Sequence, residues 1–378
     1  MYDPKAIGES EELGRGGLQR SASIGKVRST PKHDRHAIHA ALRPVRHSLN
    51  TYPALFAAAL EDHGVRATEM TFRPREFPPT ADVIIIHWPD EFFFFQTIAR
   101  TVRAVVLMAQ LWLSRLWGQS LIWTVHNLEP HERGRPLRLL RSLFLHRVDG
   151  LIFLSEASRQ LSYARFPKLR RKPYVIVPHG AYPQHIAASL PQLLDDRPAK
   201  LCFIGQVRRY KSPELLARTV AGLPPTCVRL VIAGACHEAD LRTELESIQA
   251  PHVQLLLSPQ SEAALESLID ENDAVVLPYR DIMNSGSVIL ALARARPVLA
   301  PKLGSLVEIQ VEVGEEWLYL YEGELSAAVL TEFVEWLRVK PRTGMPDLSA
   351  QDWSEVGRRC TDFVTGLAKT SARNRRLA

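Results

Sequence analysis

Leu277–Pro301, LPYRDIMNSGSVILALARARPVLAP, decides the fold of this chain. It reads as a strand end (VVLPY), a polar loop closing on Asn284-Ser285-Gly286, a small-residue helix (SVILALARA) and a second strand (PVLAP). A helix that starts on Asn-Ser-Gly offers unpaired backbone N–H groups and a positive dipole end, a seat for phosphate. The same residues also serve as an ordinary N-cap on a buried helix, so the segment alone leaves both readings open.

Outward from this unit, the rhythm repeats. In the first half, strands are predicted at HAIHAAL (36–42), DVIIIHW (82–88), LIWTVHN (121–127), DGLIFLS (149–155) and YVIVPHG (174–180). Helices are predicted at 53–64, 98–118 and 136–147. The second half restarts with KLCFIGQ (200–206), CVRLVIAGA (227–235), VQLLLS (253–258), DAVVLPY (273–279) and PVLAP (297–301). Continuous apolar strands spaced by helices argue for parallel sheets covered on both faces. The expected organisation is a disordered tail (1–35), a first Rossmann-like domain (36–181), a linker (182–198), a second Rossmann-like domain (199–345), and a terminal segment (346–378) whose helix crosses back. The fold class is α/β: two doubly wound domains facing a cleft, with ligands beyond the strands' carboxyl ends.

Composition narrows the classes. The 378 residues are 46% hydrophobic and 23% charged, as in a soluble globular protein of two domains. Four cysteines without C-x-x-C spacing predict free thiols, three of them buried, in a reducing cytoplasm. A net charge of +6 favours an anionic partner, and no zinc-finger, helix-turn-helix or RNA-binding pattern points to nucleic acid. Gly14-Arg15-Gly16-Gly17 follows no strand, and neither G-x-G-x-x-G after a strand nor a P-loop occurs, which sets aside dinucleotide dehydrogenases and P-loop NTPases.

Candidate chemistry lies at strand ends. After the first strand of the second half comes Gly205-Gln206-Val207-Arg208-Arg209-Tyr210-Lys211-Ser212. A glycine there admits a ligand to the backbone, and Arg208 and Lys211 supply forked and point positive charge suited to a diphosphate. Without the Asn-Ser-Gly helix start at the same sheet edge, this would be a solvated basic turn. In the first half, Asp90 follows one strand in His87-Trp88-Pro89-Asp90-Glu91, and His126 and Glu132 follow another in HNLEPHE. Each alone reads as a loop or capping residue; together at a cleft they are candidates for a base that removes a hydroxyl proton.

The segments HWPD, TVHNLEPHE, FIGQVRRYKS and LPYRDIMNSGSVILALARARPVLAP resemble the GT-B glycosyltransferases. They are most similar to the xanthan-pathway β-mannosyltransferase family (glycosyltransferase family 94), with its H-W-P-E, H-N-L-x-P-H-E, G-x-I-R-P-Y-K-G and N-S-G-x-L-L-L-A-L segments. The match runs with gaps from about Leu42 to Asp352-Trp353. The resemblance implies a nucleotide-diphosphate-sugar donor, GDP-mannose by first choice, in the second half. It places the acceptor, a polyprenyl-diphosphate-linked oligosaccharide or another glycan of exopolysaccharide or cell-surface synthesis, in the first. Carried over, Gly205, Arg208, Tyr210 and Lys211 border the diphosphate, with Asn284, Ser285 and Gly286 opposite; Asp90, His126 and Glu132 are the acceptor-side bases. No metal is strictly needed, because cations and a helix start can stabilise the departing diphosphate.

Departures from family patterns carry information. Retaining GT-B families have E-x7-E around this helix; here Ile282 and Leu290 stand at those positions, which agrees with inversion. Arg209 and Ser212 replace the family's Pro and Gly, and Asp90 its Glu. Two alternatives stay open: another donor such as a UDP-sugar, or a non-catalytic scaffold that binds sugar nucleotides. Finally, LMAQLWLSRLW (107–117), the Phe92–Phe95 run and LRLLRSLFLHR are too short to span a bilayer but could lie in its interface, on the inner face of the membrane.

Overall fold

The computed structural model describes residues 37–45, 50–71, 80–95, 97–128, 135–182, 193 and 197–377. The predicted tail, Glu132 and most of the 182–198 linker lie outside them. The first half runs β1 (His39–Arg43), α1 (Tyr52–Asp62), β2 (Arg66–Glu69), β3 (Val83–His87), β4 (Phe94–Phe95), α2 (Ile98–Leu113) and β5 (Ser120–Val125). It continues through β6 (Arg135–Pro136), α3 (Arg138–Arg147), β7 (Gly150–Phe153), α4 (Glu156–Arg165) and β8 (Tyr174–Ile176). The second half runs β9 (Ala199–Ile204), α5 (Pro213–Ala221), β10 (Val228–Ala233), α6 (Ala239–Glu246), β11 (Val253–Leu256), α7 (Glu262–Glu271) and β12 (Ala274–Val276). Then come α8 (Gly286–Ala293), β13 (Val298–Pro301), α9 (Leu306–Val313), β14 (Leu318–Tyr321), α10 (Ala327–Val339) and the long α11 (Trp353–Leu377).

Two six-stranded sheets result, ordered β2-β1-β3-β5-β7-β8 and β11-β10-β9-β12-β13-β14, with every neighbouring pair parallel. This is the doubly wound α/β architecture expected. Successive residues of β3 show why its apolar run is continuous. Ile84 and Ile86 pack with Leu107, Leu111 and Phe144 from α2 and α3; Val83 and Ile85 pack with Phe56 and Leu60 of α1 and Val356 and Val364 of α11. Side chains alternate across a strand, and both faces here are covered.

The terminal helix does cross back, and lies against α1. Gly357 makes this possible: a Cβ there would stand 2.4 Å from the Ala59 carbonyl oxygen. Further along, Ser371 and Ser120 hydroxyls meet at 2.6 Å, tying α11 to the start of β5.

The predicted helix 98–118 is shorter than expected. It ends at Leu113, tightens through Ser114–Trp117 and stops at Gly118 in left-handed conformation, φ 67°. The cause is Arg147, fully buried at the end of α3. Its guanidinium donates to the Leu111 carbonyl (2.5 Å), Ser114 Oγ (3.0 Å), the Gln119 carbonyl (2.8 Å) and Asp149. The Leu111 carbonyl and Ser114 hydroxyl lie at the end of α2 and the Gln119 carbonyl just beyond Gly118, so α3 holds the chain where the helix stops. Cys202, Cys236 and Cys360 are buried free thiols as predicted, and Cys227 is exposed.

Candidate functional site

In the second sheet the strand order reverses between β9 and β12; in the first, between β1 and β3. The carboxyl ends at such switch points leave a crevice. Here they border a cleft of about 1200 Å³. Arg43, His87 and Trp88 reach it from the first sheet, and Gly205, Lys211, Gly286 and Ser287 from the second.

On the second-sheet wall the chain leaves β9 through Gly205 at φ +95°. A Cβ there would lie 3.0 Å from Ser287 Oγ and 3.3 Å from Lys211 Nζ, tight contacts that add to the preference for glycine set by the positive φ. Lys211 is 8% exposed, and no carboxylate pairs with it among the described residues. Burial, helped by Arg208, lowers its amine to about 8. Its Nζ lies 5.7 Å from the centre of the Tyr279 ring, and the Tyr279 hydroxyl meets Ser285 Oγ at 2.8 Å. Ser285 caps α8 by accepting from Val288 N at 3.2 Å.

Tyr210 also lines the cleft, its phenol pushed up to about 12, chiefly by burial. Arg208 bonds Gln206 Oε1 at 3.4 Å and lies 4.0 Å from Glu238. Arg209 is held by Glu244 at 2.8 Å and Asp240 at 3.2 Å.

Ser212 stands where the resembled family has glycine, and the structure shows why glycine suits the place. Its backbone is left-handed (φ 52°, ψ 43°), and its buried hydroxyl has no hydrogen-bond partner among the described residues. Ser212→Gly is expected to stabilise the protein by about 0.5–1 kcal/mol, as glycine meets φ > 0 without the Cβ penalty. A denaturation midpoint that fell would refute this.

Asn284 was expected at the donor and is engaged elsewhere. Its Oδ1 accepts from Ser155 Oγ (3.3 Å) and its Nδ2 donates to the His126 carbonyl (3.4 Å), bridging to the first half. Beside it Glu308 of α9 accepts from the backbone N–H groups of Glu156 (2.8 Å) and Ala157 (2.7 Å), capping α4 across the same junction. At the cleft mouth Thr51 donates to Glu262 Oε1 at 2.9 Å.

On the first-sheet wall, His87 Nδ1 lies 3.1 Å from His126 Nε2. Burial pushes His87 down to about 3 and His126 well below its usual range, so both rings are neutral and share one proton. His87 lines the cleft and His126 stands behind it, stacked under Trp88 at 4.4 Å. Trp88 takes φ 43°, an uncommon backbone for a bulky residue and a sign of strain at the cleft edge. Asp90 sits in the turn Pro89–Phe92 directly after β3, its side chain outside those described.

Several cleft residues escaped sequence reasoning: Arg43, Glu69, Trp88, His179 and Tyr182. Strand β8 ends at Ile176, three residues before His179, and the chain then dives into the cleft. A Cβ on Gly286 would meet Tyr182 Oη at 3.0 Å and His179 Nε2 at 3.3 Å. The Pro-His-Gly step after an apolar run was the available signal. At the E-x7-E positions, Leu290 forms part of the cleft wall. Among the described residues no group of three or more His, Cys, Asp or Glu is placed to hold a metal ion.

No family model matches the chain. It is 33% identical over 285 residues to the GDP-mannose:glycolipid 4-β-D-mannosyltransferase of Xanthomonas campestris pv. campestris, covering 73% of this chain and 77% of that one. In fold it is similar to sucrose-phosphate synthase from Thermosynechococcus elongatus (TM-score 0.55, 13% identity, 90% of this chain and 98% of that one). It is equally similar to AviGT4, a glycosyltransferase involved in avilamycin A biosynthesis (TM-score 0.55, 15% identity, 88% and 98%).

Proposed function

Since the chain belongs to the GT-B glycosyltransferases, in the family of the Xanthomonas GDP-mannose:glycolipid 4-β-D-mannosyltransferase, we propose that it transfers mannose from GDP-mannose onto a glycolipid, with inversion. The observation that carries this reading is Lys211, a buried cation with no counter-ion among the described residues, beside the Gly205 backbone and the start of α8. A diphosphate supplies the missing negative charge. Gly205, Arg208, Tyr210, Lys211, Ser285 and Gly286 border it, and the cations and helix dipole stabilise it as it leaves, with no metal required. Asn284 supports this wall by anchoring its loop to the first half.

An α-linked nucleotide sugar giving a β-product inverts, so the acceptor hydroxyl attacks from the face opposite the diphosphate. Leu290, apolar where retaining GT-B families carry a glutamate, supports that course. Asp90, His126 and Glu132 are our candidates for the base; His126 would act through the His87 ring it touches.

The acceptor would be a polyprenyl-diphosphate-linked oligosaccharide of exopolysaccharide or cell-surface glycan synthesis, met at the inner face of the membrane. Among the described residues no helix is long and apolar enough to cross a membrane. Contact with lipid would come from the outer face of α2 and the turn after it, with Ile98, Val102, Leu113, Leu116 and Trp117 exposed and Arg100, Arg103 and Arg115 among them.

The reading is tested by thermal shift against GDP, UDP, ADP, GDP-mannose, UDP-glucose and NAD. A ligand at about 100 times its Kd adds about 2.7 kcal/mol of stability, so GDP and GDP-mannose should raise the melting temperature and the others should not. A UDP-selective shift would keep the transferase and replace the donor. Silence from a folded sample would remove the diphosphate site.

A further inference from the structure

His179 is held in one tautomer. Its Nδ1 lies 2.8 Å from the Gly180 carbonyl oxygen, which can only accept, so Nδ1 carries the proton. Nε2 of the neutral ring is therefore a lone pair, and it points at the first residue of α8: a Cβ on Gly286 would lie 3.3 Å from it. An anion seated at that helix start would face this lone pair, which repels it. A proton on Nε2 turns the repulsion into a charge-assisted hydrogen bond.

We propose that His179 takes up a proton when the diphosphate of the donor binds and delivers it to the departing phosphate. This rests on the donor reading above. As the bond from the anomeric carbon to the β-phosphate oxygen breaks, that oxygen keeps the electron pair and receives the His179 proton. The acceptor oxygen forms the new bond to the anomeric carbon and gives its own proton to the base on the first half. The nucleoside diphosphate leaves singly protonated, and His179 returns to the neutral tautomer.

The surroundings suit a proton that arrives with the ligand. Tyr52 of α1 lies 4.6 Å away ring to ring and Tyr182 of the same loop 6.0 Å. Trp353 of α11 abuts Gly180, and His126 from the end of β5 is close enough for the two imidazoles to disfavour one another's charge. On the side of α8 facing Gly205 stands Lys211; Glu262 of α7 bears on Tyr182. Among the described residues no carboxylate acts on His179, and burial holds it down to about 4.

The test is calorimetric titration of the full chain with GDP-mannose at about pH 6.5, in buffers of different ionisation enthalpy. There Lys211 is already charged and His179 is neutral, and a sugar nucleotide has no phosphate that titrates nearby. Wild type should take up about one proton per donor bound; His179→Gln should bind with uptake near zero. In turnover, wild-type kcat should fall as pH rises through the bound-state value, while His179→Gln runs about 10²-fold slower without that limb. His179→Asn repeats the comparison should the glutamine variant misfold. Donor binding without proton uptake in wild type, or uptake that survives in both variants, overturns the proposal and leaves the donor reading intact. Absence of any binding by folded wild type removes both.

Discussion

Replacing Lys211 with methionine is expected to lower kcat/KM for the donor by about 10²–10³-fold, the cost of removing one preorganised charge that stabilises a leaving group. The same variant should be more stable than the parent. Lys211 is 8% exposed with no carboxylate paired to it among the described residues, and moving an amine from 10.5 to about 8 corresponds to about 3 kcal/mol against the charged form. The folded-state value lies below the unfolded one, so this penalty is complete below pH 8 and fades between 8 and 10.5, where the unfolded chain binds more protons. Methionine keeps most of the volume and carries no charge, so at neutral pH the variant should gain about 1–3 kcal/mol, read as a higher melting temperature.

Donor affinity must move the other way with pH. Above about 8 the empty site discharges, so the Kd for GDP-mannose in wild type should rise there, and in Lys211→Met stay flat. A lysine kept for packing would behave differently: its loss would lower stability and spare turnover. Either result would remove Lys211 from the diphosphate site. Opposite signs for stability and activity are the mark of a strained functional group.

Lys211 also shows how far the sequence reads. Its charge and its place after a strand were visible; its burial, and therefore its lowered amine, arises from Gly205, Ser287 and Tyr279 closing around it, which only the fold brings together. The central strands were legible because both faces of Ile84–Ile86 are covered and the run is apolar throughout. Strand β2, RATE, was not: it lies at a sheet edge, half exposed, and has no apolar run. The end of α2 was misplaced because Arg147, more than thirty residues on, decides where it stops. His179 was absorbed into a strand that the structure ends at Ile176. Asn284 looked like a phosphate-side cap because its partners, Ser155 and the His126 carbonyl, are over 120 residues away.

A second large effect is expected at the proposed lipid face. Changing Trp112, Leu113, Leu116 and Trp117 together to serine should cut binding to anionic vesicles by about 10³-fold or more, at roughly 1–2 kcal/mol for each apolar side chain withdrawn. Helix α2 is apolar on two sides. Ala104, Leu107, Met108 and Leu111 fill the core beneath it, at the i, i+3, i+4, i+7 spacing of an inner stripe. The opposite side repeats the pattern toward solvent, with Ile98 77%, Val102 55% and Val105 50% exposed, and Leu116 in the turn after the helix is 78% exposed. Leu139 of α3, which packs against α2, extends that surface at 72% exposure. From Phe92 to Leu128 the chain has no Asp or Glu, while Arg100, Arg103 and Arg115 lie within it.

An apolar stripe with arginines and terminal tryptophans fits the headgroup boundary of an anionic leaflet. Vesicle binding by wild type should therefore weaken as salt rises, because the arginine contribution is screened and the apolar one is not. The four substitutions leave the inner stripe untouched, so the melting temperature and the shift produced by GDP should survive them. A quadruple variant that still sediments with vesicles, or a wild type that does not, would end the proposal. The sharper comparison is between acceptors. Transfer to a long-chain, vesicle-embedded acceptor should collapse in the variant, while transfer to a short, soluble analogue should not, because only the first requires the enzyme and its acceptor to share a surface.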